Sequence, residues 1–263
     1  MKRALAVIAA ACVAAGCGGG SKSDQPRPTR FSAAEQAYVN RLQALCAGAT
    51  DSREGFRRFV DALGKLQPPP SLAAQHRQRL ATEWRASHAG AAAAYGRDDS
   101  LDARLGLVDC IWPPGTTAAQ DAYPATRAGA LAALAPNLNR ICGDNVSRTV
   151  RARTLVAGDS QLDSSAQADA RWRIAVTSTE RLVRLVRRLG SPQGAGADYG
   201  AWLDATRTAA NLTRLASDAY FAGDQGRADA LGAQAARTAK AAQSTARSLG
   251  LSACAKGDAA AVQ

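Results

Sequence analysis

The strongest constraint on how this chain can fold is a cysteine bracket that occurs twice. Asn40-Arg-Leu-Gln-Ala-Leu-Cys46 is echoed by Asn137-Leu-Asn-Arg-Ile-Cys142, and Leu105-Gly-Leu-Val-Asp-Cys110 by Leu249-Gly-Leu-Ser-Ala-Cys254. Between the brackets both halves carry leucines running into a proline (Leu63, Leu66, Pro68; then Leu185, Leu189, Pro192), a tryptophan-bearing segment and an Ala-Tyr pair (Ala94-Tyr95; Ala219-Tyr220). Self-similarity on this scale marks two related structural units. Those units need covalent help. Leu, Ile, Val and Phe supply 44 of 263 residues while Ala supplies 62, a share of large apolar side chains below the roughly 20% usual for globular chains. A net charge of +11 is too dilute over this length to drive disorder.

The N-terminus has the grammar of a targeting segment. Lys2 and Arg3 form a basic start, and Ala4 to Ala15 follow as an almost wholly apolar run, too short to span a bilayer. Ala14-Ala15-Gly16-Cys17, followed by Gly-Gly-Gly-Ser-Lys-Ser, resembles the lipobox of bacterial lipoproteins, with Ala14 where Leu is usual. The resemblance implies a signal peptide over 1–16, cleavage before Cys17, and a diacylglycerol on the Cys17 sulfur. It is specific over residues 1 to 20; beyond them the chain is similar only in pattern to small alanine-rich, cysteine-bracketed helical lipoproteins of high-GC bacteria. The implied address is the outer face of the cytoplasmic membrane. Loss of residues 1–16 removes Lys2 and Arg3 and no acidic residue, so the charge falls from +11 to +9.

With Cys12 removed and Cys17 acylated, Cys46, Cys110, Cys142 and Cys254 remain. Four cysteines in an oxidising compartment read as two disulfides, and neither a C-x-x-C pair nor a nearby histidine supports zinc. The repeat selects Cys46–Cys110 and Cys142–Cys254, each closing a long loop. The hydrophobic period is helical throughout, with no alternating β-branched run. We therefore expect an all-α fold of two related antiparallel helical-bundle lobes, each closed by a disulfide. The expected organisation is a lipidated tether over 17–31, lobe 1 over 32–110, a stiff linker over 111–125, lobe 2 over 126–254 and a flexible tail over 255–263.

In lobe 1, helices are predicted over Ser32–Ala47, Ser52–Leu66 and Ser71–Tyr95, with Ser71 capping the third and a short turn over Ser100–Leu107. In lobe 2 they are predicted over Thr126–Cys142 (broken or kinked at Pro136), Asn145–Ala157, Ser165–Leu189, Asp198–Ala222 and Gln225–Leu249. Antiparallel neighbours alternate ends, so five helices bring Cys254 back to Cys142. In lobe 1 the last helix is cut short and Cys110 stays near the end of helix three. Trp172, Val176, Thr179, Val183 and Val186 form one predicted core seam. Ala228, Leu231, Ala235, Ala242 and Leu249 form a second, of small residues that permit close helix approach.

Chemistry-bearing motifs are scarce. His76 and His88 are twelve residues apart, about 120° apart around one helix, and cannot share an ion on it. Asp98, Ser100, Asp102 and Asp109 fall on positions of a calcium-loop count, but Ala103 occupies the required glycine position, so turn and capping roles are expected. Gly194-Ala-Gly-Ala-Asp-Tyr-Gly200 misses the dinucleotide fingerprint and follows no strand. Asn145-Val-Ser147 and Asn211-Leu-Thr213 match glycosylation acceptors, which carry little meaning in a bacterial lipoprotein. No metal, cofactor or catalytic residue is expected, and we expect no enzyme.

The basic residues carry more. Arg outnumbers Lys 28 to 5. Arg181, Arg184, Arg187 and Arg188 fall on one helix, joined by Arg173, with Arg148, Arg151 and Arg153 on the one before. A guanidinium fork suits phosphates and carboxylates. The expectation is a lipid-anchored binding or scaffolding module, with Arg173, Arg181, Arg184, Arg187 and Arg188 contacting an anionic envelope polymer, lipid or protein, and with the plain alternative that these arginines are a solvated face. Nucleic acid is disfavoured by the export signal and by the lack of interleaved aromatics. The other functional reading is a small apolar ligand held between lobes near Trp112, Trp172 or Trp202.

Overall fold

The computed structural model describes residues 30–48, 53–89, 99–111, 131–190, 192 and 196–256. The signal, Cys17, Trp112, the rest of the predicted linker and the last seven residues lie outside them. Among the described residues all regular structure is helical. Lobe 1 comprises α1 (Ala33–Gly48), α2 (Arg53–Lys65), a 3-10 turn (Pro70–Leu72), α3 (Ala73–Ala89), α4 (Ser100–Leu105) and a second 3-10 turn (Val108–Cys110). Lobe 2 comprises α5 (Leu131–Ala157), α6 (Ser164–Arg188), α7 (Gly196–Phe221), α8 (Gln225–Ser248) and α9 (Ser252–Lys256). Both disulfides are those expected, Cys46–Cys110 and Cys142–Cys254.

Helix starts follow side-chain chemistry. Ser32 and Glu35 form a reciprocal capping box, Glu35 N–H donating to Ser32 Oγ and Ser32 N–H to the Glu35 carboxylate. Two orphan amides are satisfied at once. Asp163 caps α6 and Asp224 caps α8. Ser71 does not cap α3; it lies in the 3-10 turn and its hydroxyl donates to Glu35, tying the start of α3 to the start of α1. The predicted helices 126–142 and 145–157 are one helix, α5. Pro136 sits near its beginning on the exposed side, where loss of one backbone bond does not end the helix. Cys142 thus lies within the first long helix and meets the short α9 after the fourth. α7 begins at Gly196, so Gly196–Gly200 are helical and not loop.

Lobe 2 has its own core, in which Leu134, Leu138 and Ile141 of α5 meet Leu185, Val186 and Leu189 at the end of α6, Tyr199 and Trp202 of α7, and Ala242, Ala246, Leu251 and Cys254. Ala228, Ala235 and Ala242 are buried along α8 as the small-residue seam requires. Lobe 1 is built around Tyr38, Val39, Leu42, Phe59, Val60 and Leu63. Its closing segment, residues 102–111, faces two ways: Leu105, Leu107 and Cys110 enter the lobe 1 core, while Ala103, Val108 and Ile111 enter a third cluster with Ala152, Val156, Ala170 and Ile174 of lobe 2. Ile111, read as the first linker residue, is fully buried at 0% exposure. The lobes therefore share a core. At the other boundary Ala255, read as tail, is buried within α9.

Candidate functional site

The predicted arginine stripe divides between the lobe interface and a groove. Arg181 is 1% exposed, donating from Nε to Asp109 Oδ1 at 3.0 Å and from Nη1 to Asn145 Oδ1 at 3.4 Å. This corrects its reading as a surface contact. A guanidinium removed from water must be paired, and the partner comes from the closing segment of lobe 1. Asp109 also accepts from Arg184 Nη2 and from Gln43 Nε2. Arg148, likewise buried, donates to the carbonyls of Ile111 and Asp109 at 2.7 and 3.3 Å. Arg79–Asp102, Arg151–Asp99 and Arg104–Asp159 add to the same region. The aspartates of the calcium-loop count at 102 and 109 are thus spent on arginines, and Asp98 lies outside the described residues.

Arg173 lies against the start of the described residues, its guanidinium 4.0 Å from the Phe31 ring centre and 5.0 Å from that of Phe221. Burial draws its pKa down, and Asp169 and Glu35 pull it back up. Arg187 and Arg188 are exposed. Of the five predicted contacts, then, Arg181 is structural, Arg173 is occupied by aromatic rings, and Arg184, Arg187 and Arg188 reach solvent.

Arg184 and Arg187 line a groove of about 360 Å³ between α6 and α7, with Glu180 one turn earlier, Asn211 and Arg214 across it, and Val183 and Ala210 completing the lining. The i, i+4, i+7 spacing of Glu180, Arg184 and Arg187 puts all three on one strip of α6. Arg184 is fixed by its bond to Asp109, with its side chain 35% exposed. Arg214 is held by Asn211 at 3.0 Å and Asp218 at 3.2 Å. Partial desolvation lifts the Glu180 carboxyl above its ordinary pKa, against the pull of Arg214 and Arg184. Arg184 and Arg214 are thus each paired with a carboxylate outside the lining, Asp109 and Asp218, and the exposed Arg187 is the guanidinium best placed to meet an anionic oxygen, with the other two oriented beside it. Asn211 and Glu180 can serve neighbouring hydroxyl or amino groups.

Arg214, Asn211 and Glu180 were not expected as site residues, because α7 contributes its basic residue singly and only packing brings it beside the α6 strip. A second concavity was missed altogether. Trp84 is 54% exposed on a shallow face of about 630 Å³ between α2 and α3, with Val60, Leu80, Arg77 and Arg85 beside it. Of the tryptophans named for an apolar ligand, Trp202 is a core residue, 2% exposed beside Tyr199, and the half-buried Trp172 packs on Tyr220 with ring centres 5.6 Å apart. Trp112 lies outside the described residues.

His76 is buried, its Nδ1 3.0 Å from the Tyr38 hydroxyl, and burial with Arg79 nearby lowers its pKa. The side chain of His88 lies outside the described residues. No group of histidine, cysteine and carboxylate side chains among the described residues is arranged to hold a metal. No described helix is long and apolar enough to cross a membrane. No protein-family model, curated protein or solved structure matches the chain.

Proposed function

We propose that this chain is a lipid-anchored, extracytoplasmic binding module that takes an anionic envelope component in the α6–α7 groove. The observation that carries the reading is the convergence of Arg184, Arg187 and Arg214 on one cleft, with Arg184 prepositioned by Asp109. Guanidinium forks held in place lose little freedom on binding, which favours phosphate and carboxylate ligands. The lipobox-like sequence at Ala14–Cys17 supports the anchor.

The test is equilibrium binding of a glycerol phosphate polymer to the acylated full-length protein, with ionic strength varied. We expect salt-dependent binding that drops at least about tenfold, or about 1.4 kcal/mol, in Arg187→Ala/Arg214→Ala. The charge-matched control Arg237→Ala/Arg247→Ala, on the exposed side of α8, should bind as the parent does. Equal losses in both variants would reduce the effect to overall charge and sink the site. A purified mass that lacks acylated Cys17 would sink the anchor.

A further inference from the structure

We infer that the α6–α7 groove engages the phosphate headgroups of the same bilayer that holds the chain's anchor. This rests on the reading above and narrows it to one ligand source. Arg30, the first described residue, lies 3.9 Å from Asp218, and Asp218 holds Arg214, which lines the groove. Phe31 is clamped under the Arg173 guanidinium, which also faces Phe221 at the end of α7. The start of the described chain thus lies beside the groove, Arg30 in an exposed ion pair with Asp218 and Phe31 against the Arg173 guanidinium.

Reach follows from length. Thirteen residues, 17–29, separate the anchor from Arg30. A chain of that length spans at most about 45 Å. A groove on the chain-entry side of the folded body therefore samples the headgroup layer at an effective concentration set by the tether, which converts a weak headgroup contact into an intramolecular one. The ligand chemistry agrees with this placement. Arg187 makes no ion pair among the described residues, and Arg184 Nε is buried without a hydrogen-bond partner. The exposed guanidinium of Arg187 and the solvent-reaching part of Arg184 suit phosphodiester oxygens. The remaining carboxylate and amide, Glu180 and Asn211, suit the hydroxyl groups of a glycerol headgroup. An apolar wedge such as Trp84 is not needed in this mode, because the acyl chains on Cys17 supply the insertion and the groove supplies orientation.

The test uses acylated full-length protein in phosphatidylcholine vesicles with and without phosphatidylglycerol, read by amide hydrogen exchange along α6 and α7. The expected result is several-fold slower exchange at residues 180–188 and 207–214 only where phosphatidylglycerol is present. That protection should vanish in Arg187→Ala/Arg214→Ala and persist in Arg237→Ala/Arg247→Ala. Doubling the tether with Gly-Ser residues after Gly20 should reduce the docked population, by up to about threefold, since a longer tether lowers the effective concentration. Equal exchange in both vesicles, with glycerol phosphate polymer still binding in solution, would overturn the lipid source and leave the binding module standing. Failure of both would remove the two together. Protection confined to the Trp84 face would also overturn the inference, by assigning the bilayer contact to α2–α3.

Discussion

The two lobes close the same cysteine bracket in different ways. In lobe 2 the closing segment folds home: Leu251, Cys254 and Ala255 return to the core formed by α5, α6 and α7, and the small-residue helix α8 lies closely along α7. In lobe 1 the closing segment is shared. Leu105, Leu107 and Cys110 face inward, while Ala103, Val108, Ile111 and the carboxylate of Asp109 are given to lobe 2. A long four-helix core can take back its own closing segment, whereas three shorter helices bury less surface alone and share theirs with a neighbour, which in turn needs that segment for Arg148 and Arg181. The difference teaches that sequence repetition fixed the covalent bracket, and that the space each half could fill decided where its closing segment packs.

Removing each disulfide should show the asymmetry at its largest. The closed loops have sequence separations of 64 and 112, so the chain-entropy estimate is about 4 and about 5 kcal/mol. We expect paired Cys→Ala substitution at Cys46/Cys110 to lower stability in denaturant titration and also to weaken protection of Arg148 and Arg181 backbone amides in lobe 2. The Cys142/Cys254 pair should act mainly on lobe 2 itself. Identical exchange patterns for the two would erase the distinction.

Asp109→Asn comes next. It leaves buried Arg181 without its counter-charge, a loss of about 3–5 kcal/mol for a broken buried pair. Chemical denaturation should show the two lobes uncoupling into separate transitions. A single transition with unchanged midpoint would mean that the third apolar cluster alone joins them. Gly106→Ala should cost about 2–4 kcal/mol: Gly106 ends α4 at φ +73°, and an added Cβ would lie 2.4 Å from Arg173 Cβ, combining left-handed strain with overpacking. Gly250→Ala is the counterpart in lobe 2. It has the same left-handed backbone at φ +73° but open space around it, so its smaller loss isolates the contribution of lobe contact in differential scanning.

The smallest effect is pH-dependent and belongs to lobe 1. The folded pKa of His76 lies below its ordinary value, so the unfolded chain takes up a proton first as pH falls. The stability held by the neutral ring is complete above the unfolded value near 6.5 and is lost progressively below it. Tyr38, Arg79 and Asp102 are the groups whose charges and bonds surround this region. We expect acid-induced loosening of lobe 1 as pH falls below about 6.5 in thermal melts, abolished in His76→Gln. The same slope in that variant would move the titration elsewhere.

Helical class, both disulfide pairs and the small-residue seam of α8 were legible because each depends on local period or on matched cysteine contexts. The helix break at 142–145 was misread, since neither Gly143 nor Asn145 signals by itself that α5 continues; burial of Asn145 against Ser178 and Arg181 holds the helix through that point. The core seam on α6 was only partly legible. Its deepest stripe is Ala170, Ile174, Ser178, Arg181 and Leu185, and two polar residues in that stripe hide it from a hydrophobicity count. Trp84 carried the opposite error, a large aromatic left at the surface.

What the sequence determined by itself, then, is the covalent and periodic framework: which cysteines pair, that every ordered element is a helix, and that large apolar side chains are too few for an uncrosslinked fold. Which arginines are buried in pairs and which reach solvent was decided only by the tertiary structure. Charge reads the same along a helix whether it faces water or a carboxylate. Asp109 lies 72 residues before Arg181, and only packing makes them a pair and leaves Arg184, Arg187 and Arg214 around a groove.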